Sequence, residues 1–549
     1  MPAKKQPSPV EYDEKLVERR WNEAESLMDW TPFPVGYGIL LNERYQFPMD
    51  MAMARMKLDA SRQLFIDNHV VGHMEGIVRE THSTRDHPAS PVFDPYKHYS
   101  TYICPDPEHG YRLYYSGASS GMTHVAYSSD GINWEIPKLN ILDSFTPDGG
   151  PNNAVAIGGM HGLFFEPDEP NPQRRWKAIF GPTKNQPRHK WPYLRLPSGG
   201  EGVGVPYTLH VSPDGYRWTF EAETNHVKGP SGAVIMPDFL AVGAGDVFQT
   251  RWDPKLGKYI ANSKHVIEPD YRFSPIIGGA RVVGQRESDD LVHWSTPRIY
   301  AYPDGEDAKA SLNGMLGIYE ADGYPYESMW LNNFSMSTYT PASKQQIREM
   351  NLMPTRPYIK RNWIREAASR DGRHWYYFGD RKPFIPLGPE GSWKPGYIRV
   401  VNLATTSGPI VKGDELWYYH RGMSVDGPKS EWQSSTGIAV LRRDGFASLN
   451  ADKGGGLVIT RPLVFEGEGR LHVNADVSTG GFVRAAVVDE DTAAPLDAYR
   501  EGDSVELTDD TTRGSMRWRE RESLAPLQGR YVRLSFYLKS AKLYSFWIE

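Results

Sequence analysis

The chain of 549 residues has a single cysteine, Cys104. One thiol excludes an internal disulfide framework, and Cys104 sits in a Pro/Asp/Glu stretch with no partner for nucleophilic chemistry. No apolar run approaches the ~20 residues of a membrane-spanning helix, so no membrane partner is expected. Lys and Arg number 62 against 68 Asp and Glu, a formal charge of −6. That balance offers no basic stripe for nucleic acid. His, Cys, Asp and Glu nowhere cluster at metal-ligand spacing. The Gly-rich stretch 199–204 neither follows a strand nor opens a helix, so no nucleotide cofactor is expected and no metal is assigned. Met1–Trp30 carries charges but no apolar core with a small-residue cleavage site, and the expectation is a cytoplasmic protein.

Against these absences stand 16 Trp, 31 Tyr, 52 Gly and 43 Pro. That mix suits short strands joined by many turns. One turn recurs: Ser-Ser-Asp130-Gly-Ile-Asn-Trp134, then copies at Asp214–Trp218, Asp290–Trp294 and Asp371–Trp375, and a worn one at Asp444-Gly445. The aspartates are 214 − 130 = 84, 290 − 214 = 76, 371 − 290 = 81 and 444 − 371 = 73 residues apart. A near-constant period marks a repeat architecture. Each copy closes a hairpin, with Asp bonding turn backbone and Trp filling space between repeats.

The expected fold is all-β: a five-bladed β-propeller followed by a C-terminal β-sandwich, with a short helical N-terminal lead-in. The expected domains are residues 1–60 (lead-in), 61–450 (propeller) and 455–549 (sandwich), with Gly454–Gly456 as hinge. In this reading the first repeat begins at Pro91–Asp94, the third at Val247–Pro254 and the fourth at Glu327. The lead-in and the sandwich offer contact surfaces for a homo-oligomer.

In a propeller the first strands converge on the axis. A carboxylate lies near the expected start of the first strand in three repeats: Asp86, Asp246 and Glu327. Asp246 precedes the turn residue Asp253 by 253 − 246 = 7, and Asp86 precedes Asp94 by 94 − 86 = 8. The second and fifth repeats place His161 and Asn402 there. Three carboxylates at one pocket suit glycosidic hydrolysis, which needs an ionised carboxylate and a protonated one. Arg85, His87, His161, Arg281 and Trp330 are the expected substrate-binding residues, Trp330 through its aromatic face. His420 and Arg421 end a strand of the fifth repeat. His124 and His420 read as core residues, and Asp94 as a turn residue.

With its five repeats, trailing sandwich and carboxylates in blades one, three and four, the chain resembles the furanosidase propellers of glycoside hydrolase families 32, 43 and 68. The resemblance implies a nucleophile or base at Asp86, a transition-state stabiliser at Asp246 and a general acid at Glu327, acting on arabinofuranosides or fructofuranosides. The Asn-Asp-Pro-Asn-Gly, Arg-Asp-Pro and Glu-Cys signatures of family 32 are absent. Alternatives are a mannoside phosphorylase, which requires a basic cluster at the pocket, a sialidase-like enzyme, and a non-catalytic sugar-binding propeller.

Overall fold

The computed structural model describes residues 55–549 apart from internal segments, the longest being 143–151, 196–200, 229–233, 236–246, 268–279, 302–306, 308–314, 351–357 and 425–432. The expected helical lead-in and Asp246 lie outside the described residues. Among the described residues the fold is almost entirely β, with one α-helix, Lys344–Glu349, begun by a Ser343/Gln346 capping box.

The strands fall into antiparallel units that follow the turn motif. Unit two runs Met160–Phe165, Trp176–Phe180, Glu201–Ser212 and Thr219–Lys228. Unit three runs Phe248–Asp253, Lys258–Ile267, Ala280–Ser288 and Arg298–Ala301. Unit four runs Met315–Tyr326, Met329–Pro341, Tyr358–Ser369 and Tyr376–Tyr377. In each, the Asp turn joins strands three and four. Asp290 Oδ1 accepts from the amides of Val292 at 2.9 Å and His293 at 2.8 Å, and Asp130, Asp214 and Asp371 repeat this pattern. Trp134 meets Tyr419 of unit five edge-on, and Trp375 packs on Tyr300 of unit three.

Unit one begins one strand later than the sequence reading placed it. Its first strand is His98–Asp106, followed by Gly110–Gly117 and Met122–Ser128. Cys104 therefore lies buried on a strand, and burial pushes its thiol up to about 12. The segment read as the opening of repeat one closes unit five instead. Arg85–Asp86 pairs with Ser434–Arg442, outside Glu415–Met423 and Tyr397–Val400.

The first strands are neighbours in cyclic order. Unit two's first strand lies against those of units one and three, and unit three's against unit four's. Thr250 Oγ1 donates to the His161 carbonyl at 3.2 Å. Asn402 joins unit five to unit four, and Asn402–Leu403 pairs in parallel with Tyr102–Ile103 of unit one.

The C-terminal strands form a ten-stranded sheet around Val532–Ile548 and Leu471–Asp489. The expected boundary near residue 61 does not divide the sheets. Met56–Lys57, Gln63–Leu64, Val71–Glu75 and Val78–Thr81 all pair within this C-terminal sheet. Leu58, Phe65 and Val70 fill its core beside Val473, Leu534 and Phe546.

Candidate active site

Four first strands meet in a buried polar layer. Tyr102 OH of unit one donates to Gln249 of unit three at 3.3 Å, and Asn402 Nδ2 of unit five donates to Asp322 Oδ1 of unit four at 3.0 Å. Burial, and then the neighbouring Glu320 carboxylate, push the Asp322 carboxyl up to about 7. Glu320, two residues earlier on the same strand, is ion-paired with Arg399 at 2.7 Å. The two side chains share one face of the strand, and both are buried, at 2 % and 4 % exposed.

Three residues nearer the N-terminus of each strand is a second layer: Tyr99 (102 − 3), Tyr319 (322 − 3) and Arg399 (402 − 3). These three side chains are half-buried. Asp246 holds this place in the sequence of unit three (249 − 3). A β-bulge falls in this region of three first strands, at Thr101, His161 and Tyr319. Bulges re-aim side chains at the cost of regular pairing and are over-represented beside active sites. Cations gather on the tyrosines. Lys360 Nζ lies 3.7 Å and Lys264 Nζ 4.3 Å from the Tyr319 ring centre. Arg281 lies 5.4 Å from it, and Arg421 lies over Tyr99 and Tyr397.

The expected site residues are not assembled together. Asp86 is on the outermost strand of unit five, with its side chain 44 % exposed and paired to Lys394. Arg85 pairs with Glu415 on the surface, and His87 meets Trp417 edge-on. Glu327 is in the two-residue turn after the first strand of unit four, at φ +48°. It therefore lies at the far end of that strand from Glu320, about 23 Å away for seven residues of strand. There it accepts from the Arg62 amide at 3.1 Å and faces Arg443, against the C-terminal sheet. Trp330 is 8 % exposed, and its indole donates to Asp253 at 2.8 Å. It is packing, with no free face for a sugar ring. Arg281 and His161 do reach the first-strand region, His161 with its ring edge-on to Tyr207.

A signal in the sequence marks the correct strands. Asp106-Pro-Glu-His-Gly110 and Asp253-Pro-Lys-Leu-Gly257 share one pattern. In both, the Asp Oδ1 accepts two backbone amides of the turn, and the other oxygen takes an arginine, Arg112 or Arg251. Each closes the turn after a first strand.

No protein-family model matches the chain. Among curated proteins it is 25% identical over 277 residues to an A type blood N-acetyl-α-D-galactosamine deacetylase of Flavonifractor plautii. The match takes in 47% of this chain and 30% of that protein, so this chain spans less than a third of the relative's length. Similar solved structures include an N-acetylgalactosamine deacetylase from F. plautii, with TM-score 0.38, 14% identity and coverage of 68% of this chain and 97% of that one. A thermostable family-43 glycoside hydrolase gives TM-score 0.37, 13% identity, 67% and 96%. An exo-inulinase from Aspergillus awamori gives 0.33, 11%, 84% and 99%.

Proposed function

We propose that the chain is a carbohydrate-active hydrolase. Its five units form the blades of a β-propeller, its C-terminal sheet folds as a sandwich, and its substrate enters at the N-terminal ends of the first strands. The cyclic order of the first strands supports the propeller. The observation that carries the chemistry is the Glu320–Asp322 pair, an ion-paired carboxylate and a carboxyl titrating near neutrality. Environments that separate two carboxyls in this way assign an ionised and a protonated partner. Residues two apart on a strand face the same side, with Cα atoms roughly 7 Å apart, so both carboxyls face one side of the strand.

In this reading Glu320 stabilises positive charge on the sugar ring and Asp322 holds the proton. Asp246, three residues before Gln249 in the sequence, is the third carboxylate of this reading. The tyrosine rings stack on the sugar. A furanoside is the preferred substrate class. A screen of aryl furanosides and pyranosides, with product stereochemistry followed by NMR, tests this; no cleavage of any member would contradict it. The second reading is removal of a sugar N-acetyl group, suggested by the name of the curated relative. Acetate release without a new reducing end would select it.

A further inference from the structure

We propose that the buried seam between units two and three holds a small inorganic anion of the halide class, clamped by Arg286 and His226. Arg286 is on the third strand of unit three and is 0 % exposed. Its Nη1 donates to the Ser295 carbonyl at 3.1 Å. Its Nε and Nη2 are buried with no hydrogen-bond partner. These two atoms form the side edge of the guanidinium, where two N–H bonds point the same way. Arg62, Arg112, Arg251 and Arg365 are also buried, and each meets an aspartate: Asp444, Asp106, Asp253 and Asp307. Among the described residues Arg286 meets no carboxylate, and burial lowers its guanidinium to about 9. A buried charge is costly unless it is paired.

The facing unit supplies a second donor. Phe248, Ser263 and Gly284 stand in one row across the first three strands of unit three. His226, 0 % exposed on the fourth strand of unit two, lies flat on Phe248 with ring centres 3.9 Å apart. Neither of its ring nitrogens has a hydrogen-bond partner. Arg286 is two residues beyond Gly284 and so on the same face of the sheet. The His265 ring fills the space over Gly284, where a Cβ would come within 2.8 Å of its Nε2. That Nε2 meets Ser263 Oγ at 2.7 Å, and the Nδ1 is buried without a partner. Burial first, and then the Arg286 charge, hold both imidazoles well below the ordinary histidine range. A guanidinium and two imidazoles thus act on one another with donors unmet. Their charge repels a cation, and among the described residues no group of His, Cys, Asp and Glu is placed to hold a metal. A spherical halide accepts from donors of differing direction, and a seam walled by stacked rings suits a compact ion. The site is separate from the Glu320–Asp322 pair and does not rest on the hydrolase reading.

The test uses bromide as the probe. Crystals of the full chain are soaked in sodium bromide for anomalous diffraction. Melting temperatures are read in sodium chloride, bromide and acetate at equal ionic strength. The expected result is an anomalous peak in hydrogen-bonding contact with Nε and Nη2 of Arg286 and with the His226 ring. The melting temperature should rise with halide and not with acetate. Arg286→Met keeps the apolar stem and should abolish both effects. His226→Phe keeps the stack on Phe248 and leaves Arg286 in place. It should weaken halide binding about tenfold, the scale of one hydrogen bond to a charged group. Ordered water at the seam with no anomalous peak would overturn the proposal. So would equal stabilisation by acetate, or a halide response unchanged in R286M or in H226F. If R286M fails to fold, the parent and H226F still decide the matter.

Discussion

Asn402 donates its side-chain amide to Asp322 at 3.0 Å, stitching the first strand of the fifth unit to that of the fourth. The bond holds a carboxyl that burial has moved from 3.8 to about 7. A carboxyl raised in the folded state contributes stability that is full below its unfolded pKa and is lost as pH rises through the folded one. One pKa unit is worth about 1.4 kcal/mol, so Asp322 costs up to about 4 kcal/mol of stability above pH 7 relative to pH 4. Asp322→Asn keeps the acceptor for Asn402 and removes the titration. The variant should match the parent near pH 4 and become progressively the more stable of the two towards pH 8, read as melting temperature against pH. Parallel profiles would show that Asp322 does not titrate in this window.

Arg62 is a second point of leverage. It donates to Asp444 at 2.7 Å and to the Thr512 carbonyl at 3.0 Å, and stacks on Trp547 at 3.8 Å. Asp444 is fully buried and also receives Tyr326 OH and Ser545 Oγ. Breaking a buried pair by removing one partner typically costs about 3–5 kcal/mol. Arg62→Ala should lower the stability of the contact between the C-terminal sheet and units four and five by that order, measured by denaturant unfolding. A loss under about 1 kcal/mol would show that the network is not structural.

The turn motif predicts a contrast between adjacent residues. Asp290 accepts from two backbone amides and the Ser288 hydroxyl, whereas Asp289, among the described residues, makes a surface pair with Lys258. Asp290→Ala leaves those donors to water and should cost about 1–3 kcal/mol. Asp289→Ala should stay within about 0.5 kcal/mol. Equal effects in thermal unfolding would contradict the assigned role of the turn.

The repeats were legible because the Asp turn is local chemistry, with an acceptor two and three residues before its donors and a Trp at fixed spacing. Ring closure was not. Nothing around Arg85-Asp86 announces that it pairs with Ala439 and Val440, more than 350 residues away in sequence. Counting forward from it put the first strand of unit one a strand too early, and so chose Asp86. In unit four the offset ran the other way: the second strand, Met329–Pro341, was read as the first, so Glu327 was placed at a first-strand start although the first strand ends at Tyr326. His161 and Asn402 lie on the strands Met160–Phe165 and Asn402–Leu403. Glu320 and Asp322 were missed because, in Ile-Tyr-Glu-Ala-Asp-Gly-Tyr, alternating acids on a strand read as a solvated face. Only the neighbouring strands bury them. The C-terminal sheet was visible from alternation, but its four N-terminal strands are short and lack a pattern of their own.

The most direct measurement is kcat/KM for Glu320→Gln beside Glu327→Gln and Asp86→Asn, on the substrate found by the glycoside screen. The axial account predicts a loss of at least about 100-fold for E320Q, the scale of a lost acid–base or charge-stabilising group, with the other two within about threefold of the parent. An E320Q enzyme of full activity, with E327Q or D86N inactive but folded, would contradict it.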